Sequence, residues 1–485
     1  MNNSLSRRQR YRFYLMALVT SIGIGNLWRF PYAVAAKGGG GLLIYLALTL
    51  FIGLPILIGE LLVGRMVLAK EPESEMWRRS SAREDDGDQK LNWLRSRYTQ
   101  ILHQSLRVCS LLVGVLYAIV SSWVLFITIQ YGRAFLIDSA VQVDLAFRDF
   151  QASLLARVLY VMLHIVICGL VLYHDRKRSF ERRLTWVMPL FGVLCIYILV
   201  RALSLPGMPD ALKFLFYPDF RSFELSWIFE IIGQVAFSLS LGMGTMVLVG
   251  GLLEKDDQVG SEGFRISITD TIVSIGASLL ILPVVFSVGN IPTGSSLVVF
   301  ETVPILLSQS FFGKGLGLLF FLILYLTTVA GSVALIRAGL VKWNLSSSVE
   351  RSTYEPDLAS NLPLRFLWKR VTSDWGTGLF FVSQIILALG LLLVITLPNP
   401  RAAAIAFRAA DIVIIDWLLP LMVFFMSLFL GWIVPRDELE KRFVDPSERT
   451  THLMFTYWRL LVRWGIPIVL FIGLAMNLSF QIKAP

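Results

Sequence analysis

Apolar runs long enough to cross about 30 Å of hydrocarbon recur at roughly 13–34, 42–64, 106–132, 154–173, 184–203, 226–252, 267–289, 315–341, 375–397, 409–434 and 458–480. They predict an all-α polytopic membrane protein of about eleven transmembrane helices. Within the first run, Thr20-Ser21-Ile22-Gly23-Ile24-Gly25-Asn26-Leu27-Trp28-Arg29-Phe30-Pro31 is a poor helix, with two glycines, small polar groups, an arginine and a proline at membrane depth. Non-helical backbone persists in a bilayer only where protein buries it or where it lines a watery cavity, because unpaired peptide groups there are costly. The expectation is a helix that opens around a ligand. The sixth run has the same feature in Phe237-Ser238-Leu239-Ser240-Leu241-Gly242-Met243-Gly244.

Interrupted helices at the first positions of two successive sets of five spans point to an inverted-repeat secondary transporter with substrate at the repeat interface. The first repeat is expected at about 13–203 and the second at about 226–434, with an extra helix at about 458–480, all within one transmembrane domain, 1–485. No readable sequence identity joins the two halves.

Composition agrees with the pattern: 55% of residues are hydrophobic, only 16% are charged and there are 33 phenylalanines, too apolar for soluble domains of this total length. The net charge of +10 resides largely in basic clusters: Arg7, Arg8, Arg10 and Arg12, then Arg176-Lys177-Arg178 with Arg182-Arg183, Lys369-Arg370, and Lys441-Arg442 with Arg449. These clusters place the N-terminus in the cytoplasm. An odd number of spans puts the C-terminus outside, and the charge calls for no nucleic-acid partner. The basic N-terminus and Ala33-Val34-Ala35-Ala36 imitate a cleavable signal, but Asn26 and Arg29 interrupt its apolar core.

Residues 66–104 form a long acidic and basic segment, expected as a solvated, partly helical cytoplasmic loop; 290–313, with Pro292, Gly294 and Pro304, is expected to form short helices over the outer mouth. Cys109, Cys168 and Cys195 fall in spans without metal-ligand spacing, and read as reduced packing residues. The histidines are scattered singly, and the sequence contains no zinc-protease, phosphate-loop or hydrolase-elbow motif, so no enzyme is expected.

The run Gly23-Ile24-Gly25-Asn26-Leu27-Trp28-Arg29-Phe30-Pro31-Tyr32 closely resembles the first span of the neurotransmitter:sodium symporter family, whose bacterial members carry amino acids. The match continues through Gly38-Gly39-Gly40, Gly53-Leu54-Pro55, Glu60 and Gly64-Arg65, returns at Gly233-Gln234 and Ser238 to Gly244, and is recognisable from Leu418-Leu419-Pro420 to Gly431-Trp432. It implies the inverted 5+5 repeat of the bacterial leucine transporter type, with helices 1 and 6 broken.

The resemblance implies that peptide N–H groups at Ile24 and Gly25 hold a substrate carboxylate, assisted by the Tyr117 hydroxyl, while oxygens at Ser21, Phe237, Ser238 and Ser240 face the substrate ammonium. Monoamine carriers of the family place an aspartate where this chain has Gly23, which leaves room here for the substrate's own carboxylate. Val113, Phe237, Met243 and Leu335 form the expected apolar wall for the side chain, favouring neutral aliphatic or aromatic amino acids. Arg29 and Asp411, with Gln234 on the same arginine and Phe237 as an apolar lid beneath, resemble the outer gate.

Sodium is the implied coupling ion, and no further cofactor is expected. A first site resembles the family's in Ser21, Asn26, Ser238 and Asp270, completed by the substrate carboxylate, with the Asp270 charge standing where other members use chloride. A second would use carbonyls near Val19, Ile22 and Thr327, but Ala330-Gly331 replaces the family's Thr-Ser pair. Coupling through a single sodium follows, and restoring both hydroxyls is expected to strengthen sodium binding. The function so implied is sodium-coupled symport of neutral amino acids across a bacterial inner membrane by alternating access. Proton-coupled or uncoupled transport on the same fold, and a non-transporting amino-acid receptor, are the alternatives.

Overall fold

A computed structural model describes residues 23–68, 89–137, 143–174, 179–221, 223–253, 257–287, 298–308, 313–341, 382–387, 390, 400–443 and 449–483. These residues are helical almost throughout, as the uninterrupted apolar runs require where a bilayer offers backbone groups no water. Eight helical stretches among them are long and apolar enough to cross a membrane: Gly25–Leu68, Arg97–Leu136, Leu154–His174, Arg183–Leu203, Val259–Ser287, Gly313–Leu340, Ala406–Ile433 and Thr451–Leu474.

The difference from the expected eleven has three sources. Runs one and two fall in the single 44-residue stretch Gly25–Leu68, bent at the short turn Ala35–Lys37 and at Gly38, whose φ of +66° a side chain would strain. The sixth run is divided into Ser226–Ser238 and Thr245–Gly250, neither long enough to cross alone. The ninth run, 375–397, lies largely outside the described residues.

The third and eighth spans make the most extensive helix pair and form the centre of the protein. Of their most apolar windows, 83% is buried, against 22% for Leu154–His174, Arg183–Leu203 and Thr451–Leu474, which turn most of their surface outward. The helix containing span three runs from Gln89 to Leu136, so its first turns belong to the expected 66–104 loop. On its inner part Ser110 bonds the Leu335 carbonyl, Arg107 donates to Gly339 (2.7 Å) and His103 meets Val341 (2.8 Å). The last two contacts satisfy carbonyls that the end of span eight would otherwise leave unpaired.

The stub Thr245–Gly250 packs against Leu54–Leu68 through two glycines. A Cβ on Gly64 would overlap the Val247 carbonyl, and one on Gly250 would overlap Leu61 backbone, so both positions need a bare backbone. On the side expected to face outward, Val143–Ala152 and Val298–Ser308 cover the bundle. Phe300 and Phe147 lie edge-on to Trp123 at 5.7 and 6.2 Å, and Phe407 meets Trp28 at 6.1 Å. Residues 290–297 and 309–312 of the expected lid lie outside the described residues.

Candidate functional site

The sixth span loses its helix after Ser238 and regains it at Thr245. Between them Ser240, Gly242 and Gly244 have φ of 56°, 72° and 77°, a left-handed region that glycine enters freely and serine does not. The segment is held from outside itself. Gly242 N–H donates to Glu60 Oε1 of span two (2.6 Å), the Thr245 hydroxyl donates to the Ser240 carbonyl (2.8 Å), and a Cβ on Gly242 would meet Met422 at 2.9 Å. Glu60 Oε2 has no hydrogen-bond partner among the described residues.

Span one approaches this segment closely. A Cβ on Gly25 would lie 3.3 Å from the Ser238 backbone, and Gln234 donates to the Gly25 carbonyl at 3.0 Å. Asn26, fully buried, joins the two spans to span seven: its amide nitrogen lies 2.7 Å from Asp270 Oδ1, 2.8 Å from the Ser274 hydroxyl and 3.1 Å from the Ser238 hydroxyl. Ser238 donates to Asp270 Oδ2 (2.6 Å), which Tyr45 also reaches at 3.5 Å.

With its nitrogen thus committed, Asn26 turns its amide oxygen toward Gly23, whose N–H donates to it at 3.2 Å. The three expected first-site residues Asn26, Ser238 and Asp270 are therefore together. They offer hard oxygens and one buried negative charge, a donor set for a small hard cation. Ser21, Val19 and Ile22 lie outside the described residues. Among the described residues no cluster of histidine, cysteine and carboxylate suits a transition metal. Tyr45 and Ser274 were missed by sequence reasoning, although hydroxyls inside apolar runs are the signal that marks them.

Tyr117 keeps accessible surface amid buried neighbours. The Ile24 backbone N–H is directed at its hydroxyl, and its ring lies 6.3 Å from that of Phe237. One donor expected for a carboxylate is thus already directed at the phenol. The phenolic O–H remains able to donate. Val113, Phe237, Met243 and Leu335 are all buried, as is Ser240. Of the span-eight residues, the Thr327 hydroxyl bonds its own helix at the Leu324 carbonyl (2.7 Å), Ala330 packs with Leu184 of span five, and Gly331 faces Tyr117.

Arg29 is wholly buried and bonded through all three nitrogens. Nε donates to Asp411 Oδ1 (3.1 Å), Nη1 to Gln234 Oε1 (3.0 Å), and Nη2 to Asp416 Oδ1 (2.6 Å) and Asp411 Oδ2 (3.4 Å). The expected Arg29, Gln234 and Asp411 are brought together, and Asp416 is an addition that sequence reasoning missed. A carboxylate within run 409–434 was its signal, since an intramembrane charge needs a partner. On a regular helix two residues five apart point to different sides; the wider turn of Ile412–Leu418 brings Asp411 and Asp416 to one arginine.

The ionic chain continues beyond this gate. Arg408 donates to Asp411 Oδ2 (3.1 Å) and Glu230 Oε1 (2.7 Å), and Lys37 pairs with Glu230 Oε2 at 2.7 Å. Lys37, Glu230, Arg408, Asp411, Arg29 and Asp416 therefore alternate in sign and balance in charge. That balance lets the group leave water together.

An interrupted sixth span, buried charges that neutralise one another and a hard-oxygen cluster where spans one, six and seven meet are features of a membrane transporter. The comparisons name the group. The sodium:neurotransmitter symporter family matches residues 6–134 and 133–341, and the chain belongs to that family. An uncharacterized sodium-dependent transporter, YhdH, of Bacillus subtilis is 26% identical over 479 residues, covering 96% of this chain and 97% of its own. Another from Haemophilus influenzae is 26% identical over 347 residues, covering 69% and 74%. The rat sodium-dependent neutral amino acid transporter B(0)AT3 is 24% identical across 57% of this chain and 47% of its own length. In fold, the chain matches the crystal structure of MhsT in complex with L-phenylalanine, with a TM-score of 0.74 at 22% identity, covering 96% of this chain and 97% of that one. Its relatives are transporters and not enzymes.

Proposed function

We propose that the chain carries neutral amino acids together with sodium by alternating access between the two sides of a bacterial plasma membrane, with its N-terminus in the cytoplasm and its C-terminus outside. The observation that carries this reading is the junction of Asn26, Ser238 and Asp270, one side of which faces Gly23 and, past it, the Tyr117 hydroxyl. A substrate carboxylate at Ile24 and Tyr117 would lie beside the Asn26 oxygen. An ion and a carboxylate sharing ligands there strengthen one another's binding, and the coupling is reciprocal.

The apolar residues Val113, Phe237, Met243 and Leu335 favour a neutral side chain, in agreement with the neutral amino acid named for B(0)AT3 and the phenylalanine bound to MhsT. Arg29 with Asp411, Asp416 and Gln234 closes the outer side over the site. The basic clusters of alternate loops, and relatives from bacteria, support the location and orientation.

Counterflow of labelled amino acids in proteoliposomes tests the reading. Exchange of neutral amino acids that needs sodium, with a Hill coefficient near one, is expected. Binding without exchange would identify a receptor, and exchange driven by a proton gradient without sodium would assign another coupling ion.

A further inference from the structure

The Tyr117 phenol enters a narrow space between spans one and eight. On one side a Cβ at Gly23 would stand 3.2 Å from the hydroxyl and 3.9 Å from the Thr327 hydroxyl; on the other, a Cβ at Gly331 would lie 2.8 Å from Tyr117 Cζ, 3.0 Å from Cε1 and closer still to the hydroxyl. Only glycine at 331 admits the phenol in this position. The tip of a tyrosine is not a floppy chain, since a rigid ring carries the hydroxyl, and yielding to a new side chain means moving the hydroxyl itself. That atom is the one toward which the Ile24 N–H is directed.

The rest of the helix supports this arrangement. Ala330 is committed to Leu184, with Met188 and Leu326 packed around it. Thr328 bonds its own helix at the Tyr325 carbonyl (2.8 Å), and Ser332 turns its hydroxyl to His164 of span four (2.9 Å), which also meets Tyr325 (3.3 Å) and Cys168 (3.5 Å). The hydroxyls around position 331 thus have partners of their own, and the face of span eight at 331 is given over to the phenol.

We infer that Gly23 and Gly331 form a two-sided seat that positions the Tyr117 hydroxyl beside the backbone of Gly23 and Ile24, making Gly331 a specificity-determining residue for substrates with an α-carboxylate. The inference rests on the amino-acid reading above. It reverses one sequence-based expectation: a serine at 331 displaces the carboxylate donor and does not strengthen sodium binding.

A double-mutant cycle tests this on the full chain, with Gly331→Ala, Tyr117→Phe and both together. A phenyl ring, lacking the hydroxyl that fills the space between positions 23 and 331, is free to shift away from a methyl at 331. The first readout needs no ligand: Gly331→Ala lowers the thermal midpoint in detergent, and adding Tyr117→Phe recovers part of the loss. The second uses L-leucine and L-phenylalanine uptake. Each single change raises KM about tenfold with Vmax within about twofold, and the double variant stays within about threefold of the singles, where independent sites would multiply. Gly331→Ser leaves the sodium dependence no steeper than in the unmodified protein. Additive thermal losses, multiplying KM effects, or an unchanged KM in Gly331→Ala overturn the seat. A Gly331→Ala protein that fails to accumulate and is not rescued by Tyr117→Phe overturns it too. An unmodified protein that moves neither amino acid refutes the transport reading, while the thermal cycle still decides on the seat.

Discussion

Asp416 lies 2.6 Å from Arg29, closer than Asp411, the acid that the sequence pairs with that arginine. It reaches there because Gly233 gives way: a Cβ at 233 would lie 2.9 Å from Asp416 Oδ1 and 2.5 Å from the Ile415 carbonyl. The Arg29 ion cluster is therefore a property of a glycine on span six as much as of the charges.

Replacing Asp416 with asparagine leaves the Arg29 cluster with an excess positive charge and is expected to cost about 2 kcal/mol, the scale of a hydrogen bond to a charged group. The thermal midpoint falls and transport slows. Gly233→Ala should produce the same two effects through overpacking, at about 1–3 kcal/mol. Thermal denaturation alongside initial uptake rates checks both, and a fully stable, active Asp416→Asn protein would assign closure to Asp411 alone.

Ligand recognition depends on the Ile24 and Tyr117 donors. Decarboxylated amines are expected to bind at least tenfold more weakly than their parent amino acids, about 1.4 kcal/mol of lost polar pairing. Competition binding with L-phenylalanine and phenethylamine measures the ratio, and equal affinities would remove the carboxylate from the site.

Asp270 accepts from Asn26 and Ser238, with Tyr45 at the edge of reach and Ser274 beside the shared amide. Transport by the unmodified protein should be indifferent to exchanging chloride for a large inert anion. In Asp270→Asn the same donors surround a neutral group, so activity is lost or becomes dependent on chloride. A chloride requirement in the unmodified protein would show that the carboxylate does not supply the balancing charge.

Glu60 holds the non-helical segment of span six through a single acceptor, the oxygen that meets Gly242 N–H. Glutamine keeps an acceptor of the same reach and alanine does not. Glu60→Gln should therefore retain most of the stability and substrate affinity, with Glu60→Ala losing about 1–3 kcal/mol for the unsatisfied buried donor. Thermal shift with and without substrate separates the two; equal behaviour would mean that the segment holds its own shape.

The sequence by itself determined the membrane class, the all-helical fold and the family, because each rests on local residues and motifs. A run of apolar residues must become a helix in a bilayer, and glycine with small polar groups weakens that helix wherever it stands. Arg29, Gln234, Asp411, Asn26, Ser238, Asp270 and Tyr117 were legible through the family resemblance, which singles them out among the polar groups of the apolar runs. Tertiary structure alone decided which partners they take. Asp416 reaches Arg29 through a widened turn, Tyr45 reaches Asp270 from span two, Ser274, one turn along from Asp270 on the same helix, takes the Asn26 amide, and Ser332 turns away to His164. Gly331 shows the limit most clearly. As a letter it is a missing hydroxyl; in the folded protein its empty side is filled by Tyr117, a residue more than two hundred positions earlier whose approach no local pattern encodes.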